Sequence, residues 1–483
     1  MVLAMSRLKK FVSGIFLIVS DVITLLLSFL AAFYLRSVIL LPIIPRFESQ
    51  PPLPLKTHLN LAFLYGASVV VLVFAFQKLY TKRLSFWEET RHLIRDVTIS
   101  FVFITVLVFV SRQYIFFSRA VIVISWIFSL VVFPLSRLAA KKILVKVGLW
   151  KKKVIIIGTN SQALLTAQGL KENDELGYEV VGFLTEEETK PADTFSDAPV
   201  LGNLSQLESL SSELEVKDFI IALPRLSQSQ LINIIERCDA IAETIRIIPN
   251  IGDYLSLGVA VDHLGDVLSL NMPRNLFKPL NIVVKTVFEY LLVIIISPLL
   301  IPVFLVASLA VKADSKGTVF FIQKRLGKRG QVFSILKFRS MYTDADQRLE
   351  KYLEENRQAR EEWDRYQKLK ASDPRVTRVG KFIRRWSLDE LPQLLNVLNG
   401  DMSLVGPRPY LPRERQEMGK SYDIISRVKP GMTGFWQVRG RSLLPFQERL
   451  LLDEYYIRNW SLWLDIVILF KTAKAWLRKE GAY

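Results

Sequence analysis

Residues 11–35 carry a single charge, Asp21, and comparable apolar stretches cover about Leu59 to Tyr80, Val97 to Val110 and Ala120 to Leu135. A helix needs roughly 17 to 25 mostly apolar residues to cross a bilayer, since each residue advances it by only about 1.5 Å. With no water in the hydrocarbon core, every backbone polar group must be satisfied within the segment, which leaves helices as the form such stretches take. The chain therefore predicts an N-terminal four-helix transmembrane bundle over residues 1–145, its third span short unless the flanks contribute. The first stretch is long for a signal peptide and lacks a small-residue cleavage site, which favours a retained helix. At 483 residues and 51% hydrophobic, the chain must carry further domains.

The charge, formally +17, is placed at the ends of these stretches. Arg7, Lys9 and Lys10 precede the first; Lys82, Arg83, Arg91 and Arg95 lie between the second and third; Arg137, Lys141, Lys142, Lys146 and Lys151 to Lys153 follow the fourth. The intervening loops at 42–58 and 112–119 are poorer in lysine and arginine. By the positive-inside rule the N-terminus and everything after the fourth span face the cytoplasm. Basic residues at membrane edges argue for lipid contact and against a nucleic-acid partner. Asp21, inside the first span, marks a polar contact within the bundle. Cys238 is the only cysteine, and the histidines are His58, His92 and His263. Chemistry beyond residue 263 must therefore use carboxylates, hydroxyls, lysines or a metal.

Between residues 146 and 265, strand patterns near Val154 to Gly158, Tyr178 to Leu184, Lys217 to Leu223 and Thr244 to Pro249 alternate with helical ones such as Ser161 to Lys171. Such alternation predicts a Rossmann-like α/β cytoplasmic domain with a parallel sheet. Its first turn, Gly158-Thr-Asn-Ser-Gln-Ala163, has Asn160 where a dinucleotide fingerprint requires glycine. A nicotinamide site is disfavoured. Assembly, as a homodimer, or nucleotide sensing is the expected role, and the acidic run from Glu186 to Pro199 reads as a surface loop.

A fifth apolar segment, 285–311, has Ser297-Pro298 at its centre. Proline removes one internal hydrogen bond and clashes with the carbonyl four residues back, so a kink or break belongs there. Both flanks are basic: Arg274, Lys278 and Lys285 precede, and Lys312, Lys316, Lys324, Arg325, Lys328 and Arg329 follow. Like charge at both ends favours a re-entrant helix that enters and leaves by the cytoplasmic face.

Beyond it, basic residues recur around one acidic pair. The blocks are Lys337-Phe-Arg-Ser-Met341, Arg384-Arg385, Ser387-Leu-Asp-Glu-Leu-Pro-Gln393, Gly406-Pro-Arg-Pro409, Lys429-Pro-Gly-Met-Thr-Gly434 and Gly440-Arg441. Arginine forks suit phosphate oxygens. Ser387 with Glu390 reads as a helix capping box, with Asp389 favoured at the same helix start and its carboxylate held ionised there. An ionised carboxylate can attack a phosphorus centre screened by Mg²⁺. The charged run from Arg348 to Lys370 reads as solvated helix with pairs four residues apart. Asn459 to Arg478, with Trp460, Trp463 and Trp476, reads either as an interfacial helix or as a core one.

With these blocks in hand, the region from Lys278 to Tyr483 resembles the bacterial polyprenyl-phosphate hexose-1-phosphate transferases, in their large form with a preceding membrane bundle and cytoplasmic domain. The resemblance implies a monotopic, α-rich catalytic domain over 278–483 in a bacterial inner-membrane protein. It implies a UDP-sugar donor, undecaprenyl phosphate as acceptor, membrane lipids as surroundings and Mg²⁺ as cofactor. Residue by residue, it makes Asp389 the nucleophile, Glu390 a metal ligand or base beside it, Arg408 and Arg441 the phosphate holders, and Lys337, Arg339 and Gln393 their support. Asp389 and Glu390 would be the metal ligands, and Ser297-Pro298 the re-entrant break. The segments Glu354 to Arg375 and Asn459 to Tyr483 look most like the galactose-specific members, with UDP-glucose as the alternative donor. A nucleotide-sensing regulatory membrane protein is the competing class.

Overall fold

The computed structural model describes residues 2–40, 55–110, 118–185, 198–223, 227–248, 260–264, 267–271, 275–366, 369, 373–439 and 444–477. The chain divides into two compact units, Met1–Ile251 and Gly252–Tyr483.

The first unit opens with helix α1 (Val2–Tyr34), extended by a π-helical turn at Leu35–Leu40. A composite segment follows: α2 (Leu55–Leu61), a π-helical stretch at Ala62–Ala67 and α3 (Ser68–Phe76). Then come α4 (Phe86–Val110) and α5 (Arg119–Lys146). The third apolar stretch does recruit its flank: α4 starts at Phe86, which brings it to 25 residues. Large side chains such as Phe11, Leu27, Phe76, Phe109 and Val131 point outward, while Asp21, Ser28, Glu89, Ser100, Arg137 and Lys141 are buried. Apolar groups outside and charges inside is the arrangement that lipid demands. Asp21, expected to make a polar contact, accepts from Nε and Nη2 of Arg137 at 2.9 and 2.6 Å, tying α1 to α5. Lys141 on Glu89 at 2.8 Å ties α5 to α4.

The same unit continues into a five-stranded parallel sheet in the order β3-β2-β1-β4-β5. Its strands are β1 (Lys152–Ile157), β2 (Tyr178–Thr185), β3 (Val200–Asn203), β4 (Asp218–Ile221) and β5 (Thr244–Ile247). Alternate residues of β1 feed two cores: Ile155 and Ile157 meet Leu207 and Ile234 on one face, Val154 and Ile156 meet Ala163 on the other. That is why β1 reads as an unbroken apolar run. Arg83, at the foot of the bundle, donates to Trp150 O and Leu176 O at 2.7 and 2.6 Å, fastening the sheet domain to the helices. A hairpin, β6 (Ala260–Leu264) with β7 (Val267–Asn271), falls in the second unit.

The second unit is built on a helix of 36 residues (Pro279–Asp314) that contains Pro298 and Pro302 and remains helical through both. The Ser297 hydroxyl donates to Ile294 O at 2.8 Å, the carbonyl that Pro298 leaves without its helical donor. Its outward residues, among them Leu280, Ile295, Leu299, Val306 and Leu309, are apolar and exposed. An antiparallel hairpin, β8 (Phe320–Leu326) and β9 (Val332–Phe338), packs beside it. Short helices follow, with a parallel pair β10 (Ser403–Val405) and β11 (Gly431–Thr433) and a closing helix at Leu462–Leu477. The charged run does form solvated helices, Ala345–Glu355 and Arg357–Tyr366, with four-apart pairs such as Arg357–Glu361.

Candidate active site

Asp389 and Glu390 lie in a 3₁₀ turn, Leu388–Glu390, entered through Ser387 at φ 49°. A left-handed serine is costly and turns the chain sharply at the entry to the acidic pair. The expected capping box does not form: Ser387 makes no side-chain cap. Glu390 instead takes the ammonium of Lys337 at 2.6 Å. Nor does the helix start hold the Asp389 carboxyl low. Burial, reinforced by the neighbouring Glu390 charge, pushes its carboxyl up to about 6, and Lys337 and Arg384 draw it back only in part.

Lys337 is held in place by Asn396. This buried amide accepts from Leu336 N at 3.0 Å and donates to Ser334 O at 2.8 Å, imitating a further strand along β9. Gln393 opens the same short helix, Gln393–Leu398, and is buried. Arg339 points elsewhere: it donates to the carbonyl and hydroxyl of Ser315 at 2.7 and 2.9 Å, pinning the end of the long apolar helix.

Arg408 sits in the turn after β10. Arg325 of β8 donates to Pro409 O at 3.0 Å, and Leu326 N to Tyr410 O at 2.8 Å, so the hairpin grips this turn. Half-buried Arg325 lies in the fields of both Arg408 and Glu390, which links the arginines to the acidic pair. Arg413 and Arg449 add to the same positive region, opposed by Glu414. Beneath it, Asp453 Oδ2 accepts from Arg408 N at 3.0 Å and from the Tyr410 hydroxyl at 2.8 Å. Burial pushes Asp453 up to about 7. Gly406 and Gly431 pass so close that a Cβ on Gly431 would meet Gly406 N at 2.1 Å, which explains both glycines. The Lys-Pro-Gly block thus braces the Gly-Pro-Arg-Pro turn. Arg441 lies outside the described residues.

Sequence reasoning missed Arg325, Arg449, Asp453 and Asp465. Asp465 had a signal, being the one acid in an apolar helical run, whereas Asp453, followed directly by Glu454, had none. Asp465 takes Lys285 at 2.7 Å, Tyr456 at 2.7 Å and Trp460 at 2.9 Å. Trp460 and Asp465 are therefore core, whereas Phe470 and Trp476 of the same helix are exposed.

As a metal site, Asp389 and Glu390 form a pair of hard oxygen donors without imidazole or thiol, the class Mg²⁺ prefers. Among the described residues no group of three or more such ligands exists. The remaining ligands would be substrate oxygens and water, as is usual for Mg²⁺. The raised Asp389 carboxyl fits a site that a cation would neutralise.

In the Rossmann-like domain, Asn160 caps the helix Ser161–Glu172 that follows β1. Its oxygen accepts from Gln162 N and Ala163 N at 2.8 and 3.1 Å, and its amide donates to Ala222 O at 2.8 Å, bridging β1 to β4 where the strand order reverses.

Residues 280–479 match the bacterial sugar transferase family, and residues 75–249 match a family described as a CoA-binding domain. A UDP-galactose-lipid carrier transferase of Erwinia amylovora is 36% identical over 409 residues, covering 84% of each chain. An undecaprenyl-phosphate galactose phosphotransferase of Salmonella typhimurium is 35% identical over 416 residues, again 84% of each. A UDP-glucose:undecaprenyl-phosphate glucose-1-phosphate transferase of Xanthomonas campestris is 31% identical over 70% of this chain and 69% of its own. With an acidic pair, an arginine-lined turn and this similarity across most of its length, the chain belongs to the bacterial sugar transferase family.

Proposed function

We propose that the protein transfers hexose-1-phosphate, galactose-1-phosphate in the first instance, from a UDP-sugar to undecaprenyl phosphate, giving undecaprenyl-diphospho-sugar and UMP. This would be the first membrane step of O-antigen or exopolysaccharide synthesis. The observation that carries the reading is Asp389, half-buried beside Glu390 and Lys337, in the field that also reaches Arg325 and Arg408. Asp389 attacks the β-phosphorus; a carboxylate oxygen–phosphorus bond forms, the bond to the bridging oxygen breaks, and UMP leaves with its electron pair. A lipid phosphate oxygen then attacks the same phosphorus and releases Asp389 unchanged. Glu390, steadied by Lys337, assists deprotonation of the lipid phosphate. Arg408 and Arg441 hold phosphate oxygens. Mg²⁺ held by Asp389 and Glu390 would neutralise charge on the donor diphosphate.

The reading places the protein in the bacterial inner membrane with this site on the cytoplasmic face, where nucleotide donors are made. Its long apolar helix, at about 1.5 Å per residue, is roughly 54 Å long against a hydrocarbon core of about 30 Å. That length, the basic residues at both ends and the Ser297-Pro298 pair support a re-entrant path. The same reading makes the Rossmann-like domain a homodimer interface rather than a ligand site, which the bridging Asn160 supports. Galactose is preferred because the relatives named for it are the more similar, with glucose the alternative.

The test is UMP release from UDP-galactose and UDP-glucose, with undecaprenyl phosphate and Mg²⁺, by the parent and by Asp389→Asn. Lipid-dependent release from one donor, lost in the variant by at least about three orders of magnitude, is expected, since the nucleophile is removed. Full release by a folded Asp389→Asn protein would refute the covalent route.

A further inference from the structure

A cavity of about 330 Å³ lies against the first turns of the long apolar helix, away from the acidic pair. Its walls include Ile282, Thr286, Tyr290 and Val428, and around it stand Lys328, Arg329, Arg427 and Lys429. The one acid lining it, Glu289, is committed to Lys285 at 2.8 Å and to the Ser403 hydroxyl. Lys429 faces Lys328, with Glu289 and Asp401 as the acids in its field, and burial together with the Lys328 charge pushes its ammonium below the ordinary range. Two ammonium groups so placed are a standing attraction for an anion.

The position says more. The acidic pair's turn packs through Leu388 and Leu391 against Phe304, Ala307 and Val311, in the last third of the helix. The cavity meets residues 282–290, on the other side of Ser297-Pro298 from those contacts, and none of Asp389, Glu390, Lys337 and Arg408 lines it. Leu280, Val283 and Val287, on the same turns as the cavity, are exposed apolar residues. A ligand seated there has cations at its head and the outward apolar face of the helix beside its body.

We infer that this cavity binds the phosphate headgroup of a membrane lipid whose apolar chain lies along residues 280–290, at a site separate from Asp389 and Glu390. A bulk anionic phospholipid and a polyprenyl phosphate share that chemistry. The inference concerns binding, and its test reads no turnover. Protein in a neutral detergent is titrated with phosphatidylglycerol, undecaprenyl phosphate, phosphatidylcholine or inorganic phosphate, and bound lipid is counted by native mass spectrometry. One of the two anionic lipids should bind at least about tenfold more tightly than phosphatidylcholine, and the one whose extra binding the cavity substitutions remove identifies the source, since undecaprenyl phosphate also binds near Asp389 under the proposed function. The double substitution Lys328→Glu with Lys429→Glu should abolish that preference. Thr286→Trp, which fills the cavity and leaves every charge in place, should weaken the same lipid by a similar factor, so that a misfolded charge variant cannot decide the matter. Equal binding of all the lipids by the parent, unchanged binding in Thr286→Trp, or complete displacement by inorganic phosphate at the lipid's own concentration would each overturn it.

Discussion

At the scale of single residues, the acidic pair shows how burial sets chemistry. An exposed aspartate titrates near 3.9, whereas Asp389 is pushed up to about 6 by burial and by Glu390. Only the ionised form attacks phosphorus, so the rate should rise as pH climbs through the raised value. At limiting Mg²⁺, since a bound cation would lower the value, the acid limb of kcat/KM, which reports the free enzyme, is expected near 6, and Glu390→Gln should move what activity remains to lower pH because a neighbouring negative charge is gone. A limb that stays near 4 in the parent would remove Asp389 from the titrating role. Asp453 offers a second case. Asp453→Ala leaves Arg408 N and the Tyr410 hydroxyl buried without an acceptor, each at a cost of about 1–3 kcal/mol. Thermal unfolding should fall accordingly, with a rise in donor KM from the loosened turn. Asp453→Asn keeps an acceptor oxygen, so it should recover most of both losses. The sequence made Asp389, Glu390 and Lys337 legible because acid and base recur in compact blocks. It hid Asp453 and Arg325, whose roles come from contacts made across more than forty residues of chain. It also misled on Ser387, since a capping pattern carries no information about the backbone angle that a packed turn imposes.

At the scale of elements, periodicity and apolar length served well. The apolar runs became helices, and the parallel strands appeared where apolar runs alternate with helical ones, apart from short β3; the acidic run read as a surface loop lies outside the described residues. The long helix is where local and global readings diverge. Proline argued for a break, yet the chain stays helical through Pro298 and Pro302, with Ser297 taking one freed carbonyl. A proline-weakened helix can bend without unwinding. In the proposed topology, cysteines introduced at Leu280 and Lys316, in a Cys238→Ser background, should both resist an impermeant maleimide in spheroplasts and both react in inverted vesicles. Pro298→Ala with Pro302→Ala restores two backbone donors and favours a straight helix, so one of the two positions should become reactive in spheroplasts. Reaction of either position in parent spheroplasts would mean that the helix crosses.

For the whole molecule, the division of labour follows from where charge and acid chemistry fall. The first unit spends its ionisable residues on internal ties such as Asp21 with Arg137, Glu89 with Lys141 and Lys152 with Asp218. Its one motif suggestive of a ligand is closed by Asn160. The second unit holds every described residue of the proposed site, together with its own core around Val405, Tyr410, Tyr456 and Ile468. A separate core is what allows a segment to fold alone. Protein truncated to residues 252–483 should therefore retain lipid-dependent UMP release within about tenfold of the full chain, because every described residue assigned to the site lies in the second unit. If the truncated protein folds, as judged by cooperative unfolding, yet releases no UMP, then the first unit completes the site or holds it in its active arrangement. In that case the separation of a tethering unit from a catalytic one, which the two cores suggest, is wrong in substance.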